Sequence, residues 1–430
     1  MEIRAITSGH IIPYLYKNDV LRNFLEDHLE KISNLNISLK EKFNEQNIKV
    51  QTFRLCSQPL FSYEDKVFYN KGLKNALPVL DEQFTIIGEL LKKYNINYFA
   101  CCSMLADHLN NFGPFERLLL NAIPTFLKKN DFLFSSLPVA SNQYGINLTA
   151  LKSGAKIIKN LSEPDPFANL KFCVSSNVNP DLHTPFFPAS YHFSEKPKFS
   201  IALEMADEVV ETLDKSNSLN DAKVKLKARF NEIYDQICGI AEKIAQEYQI
   251  EFEGIDFSPA PFPKREKSIG TAIEKMGFDY FGSHGSLIVI ALIRNAIPRH
   301  KEKVIGFSGF MQPVFEDSTI AQRLIEDRFN IESLLLYSTI CGTGLDCIPL
   351  PGDITERELF YLLLDICTIS LTHNKPLTAR LMPIPGKKAG EDIEFDFEYF
   401  APTKIMDIKR MGKPTTKDIF SSHERSIDFS

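Results

Sequence analysis

The alternation of apolar and polar positions along the chain predicts short strands separated by longer helices. Apolar runs of strand length fall at residues 2–8, 49–56, 98–103, 131–138, 171–178, 198–205, 251–258, 303–314, 379–385 and 393–400. Helical periodicity marks residues 81–94, 148–161, 219–248 and 318–329. In the longest of these, an apolar residue recurs every three or four positions, which indicates one buried face; its members are Leu226, Phe230, Ile233, Ile237, Ile240 and Ile244.

Strands that alternate with helices are typical of a mostly parallel sheet covered by helices, either closed as a barrel or doubly wound. About ten strands is too many for a minimal dinucleotide-binding unit and slightly too many for an eight-stranded barrel. No linker or internal repeat divides the chain. We therefore expect one α/β domain over residues 1–410 and a polar, flexible tail over residues 411–430.

Composition and charge narrow the classes of function. The 430 residues include 49 Lys and Arg against 55 Asp and Glu, and this net charge of −6 argues against a general nucleic-acid binder. The start of the chain lacks a signal peptide, and no apolar run approaches the roughly 20 residues that cross a bilayer. We therefore expect a cytoplasmic protein that does not act at a membrane. The cysteines form no C-x-x-C pair, which excludes zinc-ribbon and thioredoxin-type motifs.

A glycine-rich segment over residues 341–353 is the densest unusual feature. Gly342 and Gly344 flank Thr343 and would let the backbone approach a ligand closely. Cys341, just before them, could act as a nucleophile or as an acid–base thiol. The structural interpretation of the segment is a helix end followed by a tight loop, with Cys341 buried, and both interpretations stay open.

Carboxylates precede two predicted helices. Glu316 and Asp317 stand before the helix at residues 318–329, and Asp353 stands before a helix predicted over residues 355–371. An N-cap is the favoured interpretation for Asp353 and for one residue of the adjacent pair. Adjacent carboxylates could instead hold a divalent cation or perform acid–base chemistry.

Two further segments place polar residues next to predicted strands. Between Asn177 and His192, Pro185 and Pro188 bracket two phenylalanines, which is typical of a rigid pocket wall. His192 could transfer protons, although a single loop histidine is more often an ordinary hydrogen-bond partner. Asp256 and Ser258 share one face of a strand near its carboxyl end, where parallel α/β proteins form their sites.

A basic segment near the last long strand suits an anion. Arg380 lies in that strand and Lys387 lies in the Gly-bounded loop after it, so both could bind a carboxylate or phosphate, although exposed lysines are usually only solvated. The common signatures are absent: there is no Walker A motif, no G-x-G-x-x-G between a strand and a helix, no H-E-x-x-H and no G-x-S-x-G.

Taken together and in order, these segments resemble one uncharacterised family, domain-of-unknown-function family seven-one-one, which is described as pyruvate formate-lyase-like. The resemblance covers most of the chain, and the segments that carry it are residues 177–192, 253–258, 309–317, 341–353 and 380–390. It implies an α/β barrel of about ten strands, like that of glycyl-radical enzymes, in a homodimer. It also implies a small ACT-domain protein as a partner, but no established reaction.

A glycyl-radical mechanism does not follow from that resemblance. Those enzymes carry an Arg-Val-x-Gly-Tyr-like motif near the carboxyl terminus. The nearest string here, residues 409–413, lacks both the spacing and the aromatic residue. A shared fold does not transfer an activity.

The sequence therefore predicts an enzyme that acts on a small polar metabolite, a carboxylate or an amino-acid derivative, in a pocket at one end of the barrel. The predicted catalytic residues are Cys341, His192 and Asp256. The predicted substrate-binding residues are Asn177, Ser258, Gly342, Thr343, Gly344, Arg380 and Lys387. A divalent metal, if bound, would lie at Glu316 and Asp317. The alternative is a regulatory protein that binds a metabolite without turnover and pairs with the ACT-domain protein.

Overall fold

A large mixed sheet forms the centre of the protein, in a computed structural model that describes residues 1–14, 17–61, 72–108, 114–340, 342–414 and 417–428. Its strands are β1 (Glu2–Gly9), β2 (Phe53–Ser57), β3 (Tyr98–Cys102), β4 (Leu133–Ser141), β5 (Gly145–Asn147), β6 (Phe172–Ser176), β7 (Lys198–Glu204), β8 (Glu251–Ala260), β9 (Gly344–Pro351) and β10 (Leu377–Ile384). Three two-residue strands follow, β11 (Asp392–Ile393), β12 (Thr403–Lys404) and β13 (Ser426–Ile427).

The strand order is β8-β7-β1-β2-β3-β4-β6-β10-β9. Strands β1, β2, β3, β4 and β6 run parallel to one another. At both sides of this group the direction reverses, because β7 is antiparallel to β1 and β10 is antiparallel to β6. The predicted α/β class with a mostly parallel sheet is confirmed. The ladder of paired strands ends at β8 and β9, so the predicted barrel closure is not shown.

Helices of the described residues pack against the sheet with their apolar faces. The longer ones are Asn18–Glu45, Leu73–Lys93, Leu148–Leu161, Ala206–Asp214, Leu219–Tyr248, Ser286–Ala296, Ser318–Ile325, Ile331–Ile340 and Glu356–Thr372, and the shorter ones are Pro114–Leu120, Ile123–Lys129 and Ile269–Lys275. In Leu219–Tyr248 the predicted apolar stripe is buried at every member except the half-buried Ile240. No helix in the described ranges is long and apolar enough to cross a membrane.

The segment over residues 303–314, predicted as a strand, is not one. It instead bonds to both ends of the sheet, since Ile255 of β8 donates to the carbonyl of Lys303 at 2.7 Å and Val314 donates to the carbonyl of Asp346 in β9 at 3.1 Å. A glycine at position 306 permits the close approach, because a Cβ there would lie 2.1 Å from Asp256 Oδ2. The segment therefore lies along both terminal strands.

The structure corrects three further predictions. Strand β9 occupies most of the glycine-rich segment that was expected to be a loop, whereas residues 393–400 form no strand beyond β11. Asp353 does not cap the helix Glu356–Thr372. Thr355 is the N-cap and Glu358 completes the capping box, while Asp353 pairs with Arg410.

Part of the predicted tail contacts the domain. The hydroxyl of Tyr361 donates to Asp418 at 2.8 Å, and the ring of Phe420 packs edge-on against that of Phe360. Strand β13 pairs with β5. Flexibility of the tail stays a prediction.

Candidate functional site

A chain of alternating charges connects strands from distant parts of the sheet. Arg4 of β1 donates to Glu204 of β7 at 2.8 Å and to Glu316 at 3.3 Å. Arg380 of β10 donates to the same Glu316 at 2.9 Å and to Asp346 of β9 at 2.6 Å. Four strands separate β1 from β10 in the ladder. Because one carboxylate contacts both arginines, the sheet must be strongly curved around this cluster.

Burial and charge act in opposite directions on these groups. Burial alone would raise the pKa of Glu316, but Arg380 and Arg4 outweigh it and hold that pKa below its ordinary value. Burial raises the pKa of Asp346 in spite of its bond to Arg380. Glu316 is therefore an ionised carboxylate that is fixed between two guanidinium groups.

A buried thiol also contacts this carboxylate. Cys347 Sγ donates to Glu316 Oε1 at 3.2 Å. Burial raises the pKa of Cys347 well above its ordinary value, so the thiol keeps its proton. Cys347 has a φ of +49°, in the left-handed region, where the pairing register of β9 with β10 shifts. Such a bulge redirects side chains and is frequent beside functional sites.

A cavity of about 70 Å³, here called the chamber, lies beside the charge chain. Three guanidinium groups and two carboxylates line it, which leaves one net positive charge. Its lining includes Arg4, Arg54, Glu316, Asp346, Arg380, Cys173 and Thr343. Thr343 is 2% exposed, and its hydroxyl has no hydrogen-bond partner among the residues that the structure describes. The chamber therefore has room for a small polar group and an unused hydroxyl to bind it.

A larger cavity of about 480 Å³, here called the cleft, shares lining residues with the chamber. Both include Arg4, Arg54, Phe187, Glu316 and Arg380. Six aromatic residues line the cleft, namely Tyr98, Phe134, Phe167, Phe187, Phe397 and Tyr399. The cleft lies at the amino ends of β2, β3 and β4, and not at the carboxyl ends where the sequence placed the site.

Arg54 lies where the chamber and the cleft meet. Its Nε donates to Thr52 Oγ1 at 3.1 Å, and its Cζ lies 5.1 Å from the centre of the Phe187 ring. Within the described ranges, no carboxylate forms an ion pair with it, in contrast to Arg4 and Arg380. Burial lowers the pKa of Arg54 to about 10, and the neighbouring Arg4 adds to this effect. The group is still a cation at neutral pH, and it is available to an anion.

The structure brings together three of the predicted site residues. Arg380, Glu316 and Thr343 all line the chamber. Gly344 allows the start of β9 to approach β10, because a Cβ there would lie 2.1 Å from the carbonyl oxygen of Thr378. Gly342 precedes Thr343, whose N–H donates to the carbonyl of Phe310. Cys341 lies outside the described residues.

Asp256 and Ser258 are buried away from both cavities. Asp256 accepts hydrogen bonds from the Ser258 hydroxyl at 2.6 Å and from the backbone N–H groups of Phe307 and Ser308 at 2.8 and 2.9 Å. Burial raises the pKa of Asp256, although these bonds oppose the effect. The two side chains attach the segment 303–314 to β8.

Asp317 is the N-cap of the helix Ser318–Ile325, as the favoured interpretation predicted. It accepts from the N–H groups of Thr319 and Ile320 at 3.0 Å. It also accepts from the Ser268 hydroxyl at 2.5 Å, at the start of a second helix. Within the described ranges, no three His, Cys, Asp or Glu side chains converge as a metal site.

Three predicted residues lie elsewhere. His192 Nε2 lies 3.1 Å from the carbonyl oxygen of Lys196, and burial lowers its pKa. Asn177 donates to the carbonyl of Ser370 at 3.1 Å and connects the end of β6 to the helix Glu356–Thr372. Lys387 is half-buried in the loop after β10, where its carbonyl accepts from Gly352. None of the three lines the chamber or the cleft.

Sequence reasoning missed Arg4, Arg54 and Cys173. Arg4 and Arg54 each stand alone in an apolar strand, as in Ile-Arg-Ala-Ile and Phe-Arg-Leu-Cys. An arginine in a strand that reads as buried needs a partner or a ligand, and this signal could have identified both. Cys173 carries no such signal, because buried structural cysteines are common.

Comparison with known proteins identifies the family of the chain, but the description of that family states no activity. The chain matches the family described as "Uncharacterised ACR (DUF711)" over residues 1–401. It is 27% identical to a UPF0210 protein of Pyrobaculum aerophilum, over 96% of this chain and 91% of that protein. It is 28% identical to a UPF0210 protein of Methanocaldococcus jannaschii, over 92% and 88%. A UPF0210 protein of Caldicellulosiruptor saccharolyticus is 26% identical, over 95% and 91%. None of these names carries the pyruvate formate-lyase-like description.

Proposed function

From the premise that the chain belongs to the DUF711 family, whose description assigns no activity, we propose a function on the basis of the site itself. The protein is an enzyme that binds a small carboxylate-bearing metabolite in the chamber and the cleft. Arg54 is the residue that binds the carboxylate.

The observation that carries this proposal is the unpaired guanidinium of Arg54. Arg4 and Arg380 are neutralised by carboxylates in direct contact, so their charges mainly hold the site together. Arg54 donates to a threonine hydroxyl and lies against two aromatic rings, and no carboxylate of the described residues pairs with it directly, although Arg4 and Glu316 lie close enough to act on its charge. A guanidinium fork matches a carboxylate in a bidentate manner, and a half-buried position strengthens such a pair.

Cys173 and Glu316 supply the reactive groups in this proposal. Burial raises the pKa of the Cys173 thiol, and Arg380 acts in the opposite direction. A thiolate formed at Cys173 would thus lie near a guanidinium that favours it. Glu316, ionised in the same chamber, can accept a proton. A bound carboxylate would place its neighbouring carbon atoms beside both groups.

The finer expectations from the family resemblance stay proposals. The shared contact of β1 and β10 with Glu316 and the bonds of segment 303–314 to β8 and β9 support closure of the sheet into a barrel. The pyruvate formate-lyase-like character of that barrel rests on the resemblance alone. A homodimer and an ACT-domain partner rest on the resemblance alone. Light scattering of the purified chain, alone and with the ACT-domain protein, would test both.

A thermal-shift screen of the purified protein against carboxylates, amino acids and phosphate esters tests the proposed function. A carboxylate present at about 100 times its Kd should stabilise the protein by about 2.7 kcal/mol. We expect Arg54→Met to lose this shift and Arg22→Met, at an exposed ion pair, to keep it. Proton NMR of each hit then detects turnover. Binding without any product would favour the regulatory alternative, and equal shifts in wild type and Arg54→Met would contradict the proposal.

A further inference from the structure

We infer that the ligand has one anionic head and an aromatic body, with the head at Arg54 and the chamber and the body in the cleft. This inference rests on the proposed function and names the class of its ligand, an arylalkyl carboxylate. Four observations carry it: the sizes of the two cavities, the unused polar groups of the chamber, the rings of the cleft and the cations at its rim.

The two cavities differ in volume and in the side chains that line them. The chamber measures about 70 Å³ and the cleft about 480 Å³. Only a small group fits in the chamber, where the Thr343 hydroxyl is buried and bonds to no other described residue. A carboxylate at the junction could accept from Thr343 and from Arg54 at once, and it would satisfy both groups. The chamber side therefore takes the head.

The cleft adds an aromatic lining to the polar and charged side chains that it also contains. On one side, the Phe134 ring centre lies 5.5 Å from that of Phe187 and 5.4 Å from that of Tyr98. On the other side, Phe167 and Phe397 pack edge-on at 5.0 Å. Rings that are held by one another form a rigid apolar surface, which favours an aromatic body over a flexible or polar one.

The head and body positions adjoin each other. The Cζ atom of Arg54 lies 5.1 Å from the Phe187 ring centre and 5.9 Å from that of Tyr98. Cation–π contacts of this kind fix the guanidinium at the inner end of the aromatic lining. A ligand with its carboxylate on Arg54 would therefore place a ring only a few bonds further out against the same phenylalanine.

The rim of the cleft does not favour a second anionic group. The ammonium of Lys128 donates to the carbonyl of Asn160 at 2.6 Å, and that of Lys171 donates to the carbonyl of Leu127. Asp131 and Asp165 line the same cleft beside these two lysines, and Lys171 Nζ lies 3.7 Å from Asp131 Oδ1, so the four rim charges cancel and leave no net cation for an outer carboxylate. The cleft thus matches a monoanion better than a dicarboxylate or a nucleotide.

A titration of the full chain with matched compounds tests this inference. The probes are benzoate, phenylacetate, 3-phenylpropanoate and 4-phenylbutanoate, compared with propanoate and with 3-phenylpropan-1-ol. We expect the tightest arylalkanoate to bind about 100-fold more tightly than propanoate, because a buried phenyl ring adds that much apolar stabilisation. We expect the alcohol, which lacks the charge, to bind at least about 10-fold more weakly than the acid.

Variants separate the head from the body. Phe167→Ala should weaken the arylalkanoate about 10-fold and leave propanoate unchanged, whereas Thr343→Val should weaken both carboxylates. Phe420→Ala, which removes a ring packed against Phe360 outside the cleft, is the matched control and should change neither. Circular dichroism of each variant verifies that it folds.

The outcomes distinguish this inference from the proposed function. Equal affinity for propanoate and every arylalkanoate would overturn the inference and leave the proposed function standing. Binding of the alcohol as tight as that of the acid would overturn both, because Arg54 would then make no contribution. Failure of every carboxylate to bind would also overturn both.

Discussion

The carboxylate of Glu316 accepts a hydrogen bond of 2.9 Å from the guanidinium of Arg380, 64 positions further along the chain. The same carboxylate accepts a hydrogen bond from a second arginine, Arg4, on the far side of the curved sheet. Without Glu316 the two guanidinium groups would face each other across the chamber. This carboxylate therefore keeps the cationic lining of the site together.

Glu316→Gln should lower the free energy of unfolding by about 3 kcal/mol at pH 7, because it removes the charge that compensates two buried arginines. Urea unfolding measures this loss. Since the pKa of Glu316 is lowered in the folded protein, its contribution is complete above the ordinary value of 4.5 and disappears as the pH falls through the lowered pKa. The difference between wild type and variant should shrink over that acidic range.

The control for this experiment is Glu211→Gln at an exposed pair with Lys215, which should cost less than about 0.5 kcal/mol. A loss of that small size for Glu316→Gln would show that the charge chain does not hold the sheet.

Thr343→Val should raise the free energy of unfolding of the unliganded protein by about 1 kcal/mol, because it replaces a buried hydroxyl that has no partner in the described part of the chain with a methyl group of similar volume. Chemical denaturation of the two proteins without ligand measures the gain. Thr378→Val provides the contrast, because the Thr378 hydroxyl donates to the Thr343 carbonyl at 2.9 Å and its removal should destabilise. A destabilised Thr343→Val protein would mean that the hydroxyl is already bonded in the empty site.

Asp317→Ala should lower the free energy of unfolding by at least about 3 kcal/mol, since the carboxylate accepts hydrogen bonds at the starts of two helices. Thermal unfolding with and without Mg²⁺ or Mn²⁺ separates this role from metal binding. We expect neither cation to shift the wild-type midpoint. A stabilising shift that Asp317→Ala loses would restore the metal interpretation of Glu316 and Asp317. Asp353→Ala, which removes the carboxylate of an exposed ion pair, is the control and should lower the free energy of unfolding only slightly.

Acid should destabilise the protein through His10. Burial lowers its pKa from 6.5 to about 4, and His28 and His192 add to this effect, although its bond to the Ile11 carbonyl opposes it. The unfolded chain therefore takes up a proton below pH 6.5, whereas the folded protein does so only near pH 4. Between pH 7.5 and 5 the free energy of unfolding should fall by about 2 kcal/mol from this residue.

His10→Asn keeps a donor for the Ile11 carbonyl and cannot titrate. We expect its stability to fall less steeply between pH 7.5 and 5 when both proteins are unfolded in urea. Parallel pH profiles for the variant and the wild type would assign the acid sensitivity to other groups.

Patterns of apolar residues predicted the elements that bury a regular face. The helices Leu148–Leu161 and Leu219–Tyr248 have the predicted bounds, because their apolar positions repeat without interruption. Strand β9 was missed because it begins at a glycine and contains two prolines. Pro349 and Pro351 are tolerated there because β9 ends the ladder and needs fewer backbone donors than a central strand.

The candidate site was only partly predictable for a different reason. Arg380 and Glu316 stand beside glycine- and proline-rich segments that suggest chemistry. Arg4 meets its partners Glu204 and Glu316 across separations of 200 and 312 residues. Local pattern carries no information on such distant pairings, which depend on the order of the strands and on the curvature of the sheet.

The bonds of segment 303–314 to β8 and β9 have a consequence for self-association. Terminal strands with free N–H and C=O groups recruit strands from other molecules and promote aggregation. One segment shields both terminal strands, through Lys303 at β8 and Val314 at β9. Local unfolding of this stretch would free backbone groups of Ile255 in β8 and of Asp346 in β9 in the same event, and we expect the bonds of Asp256 to the segment to oppose it.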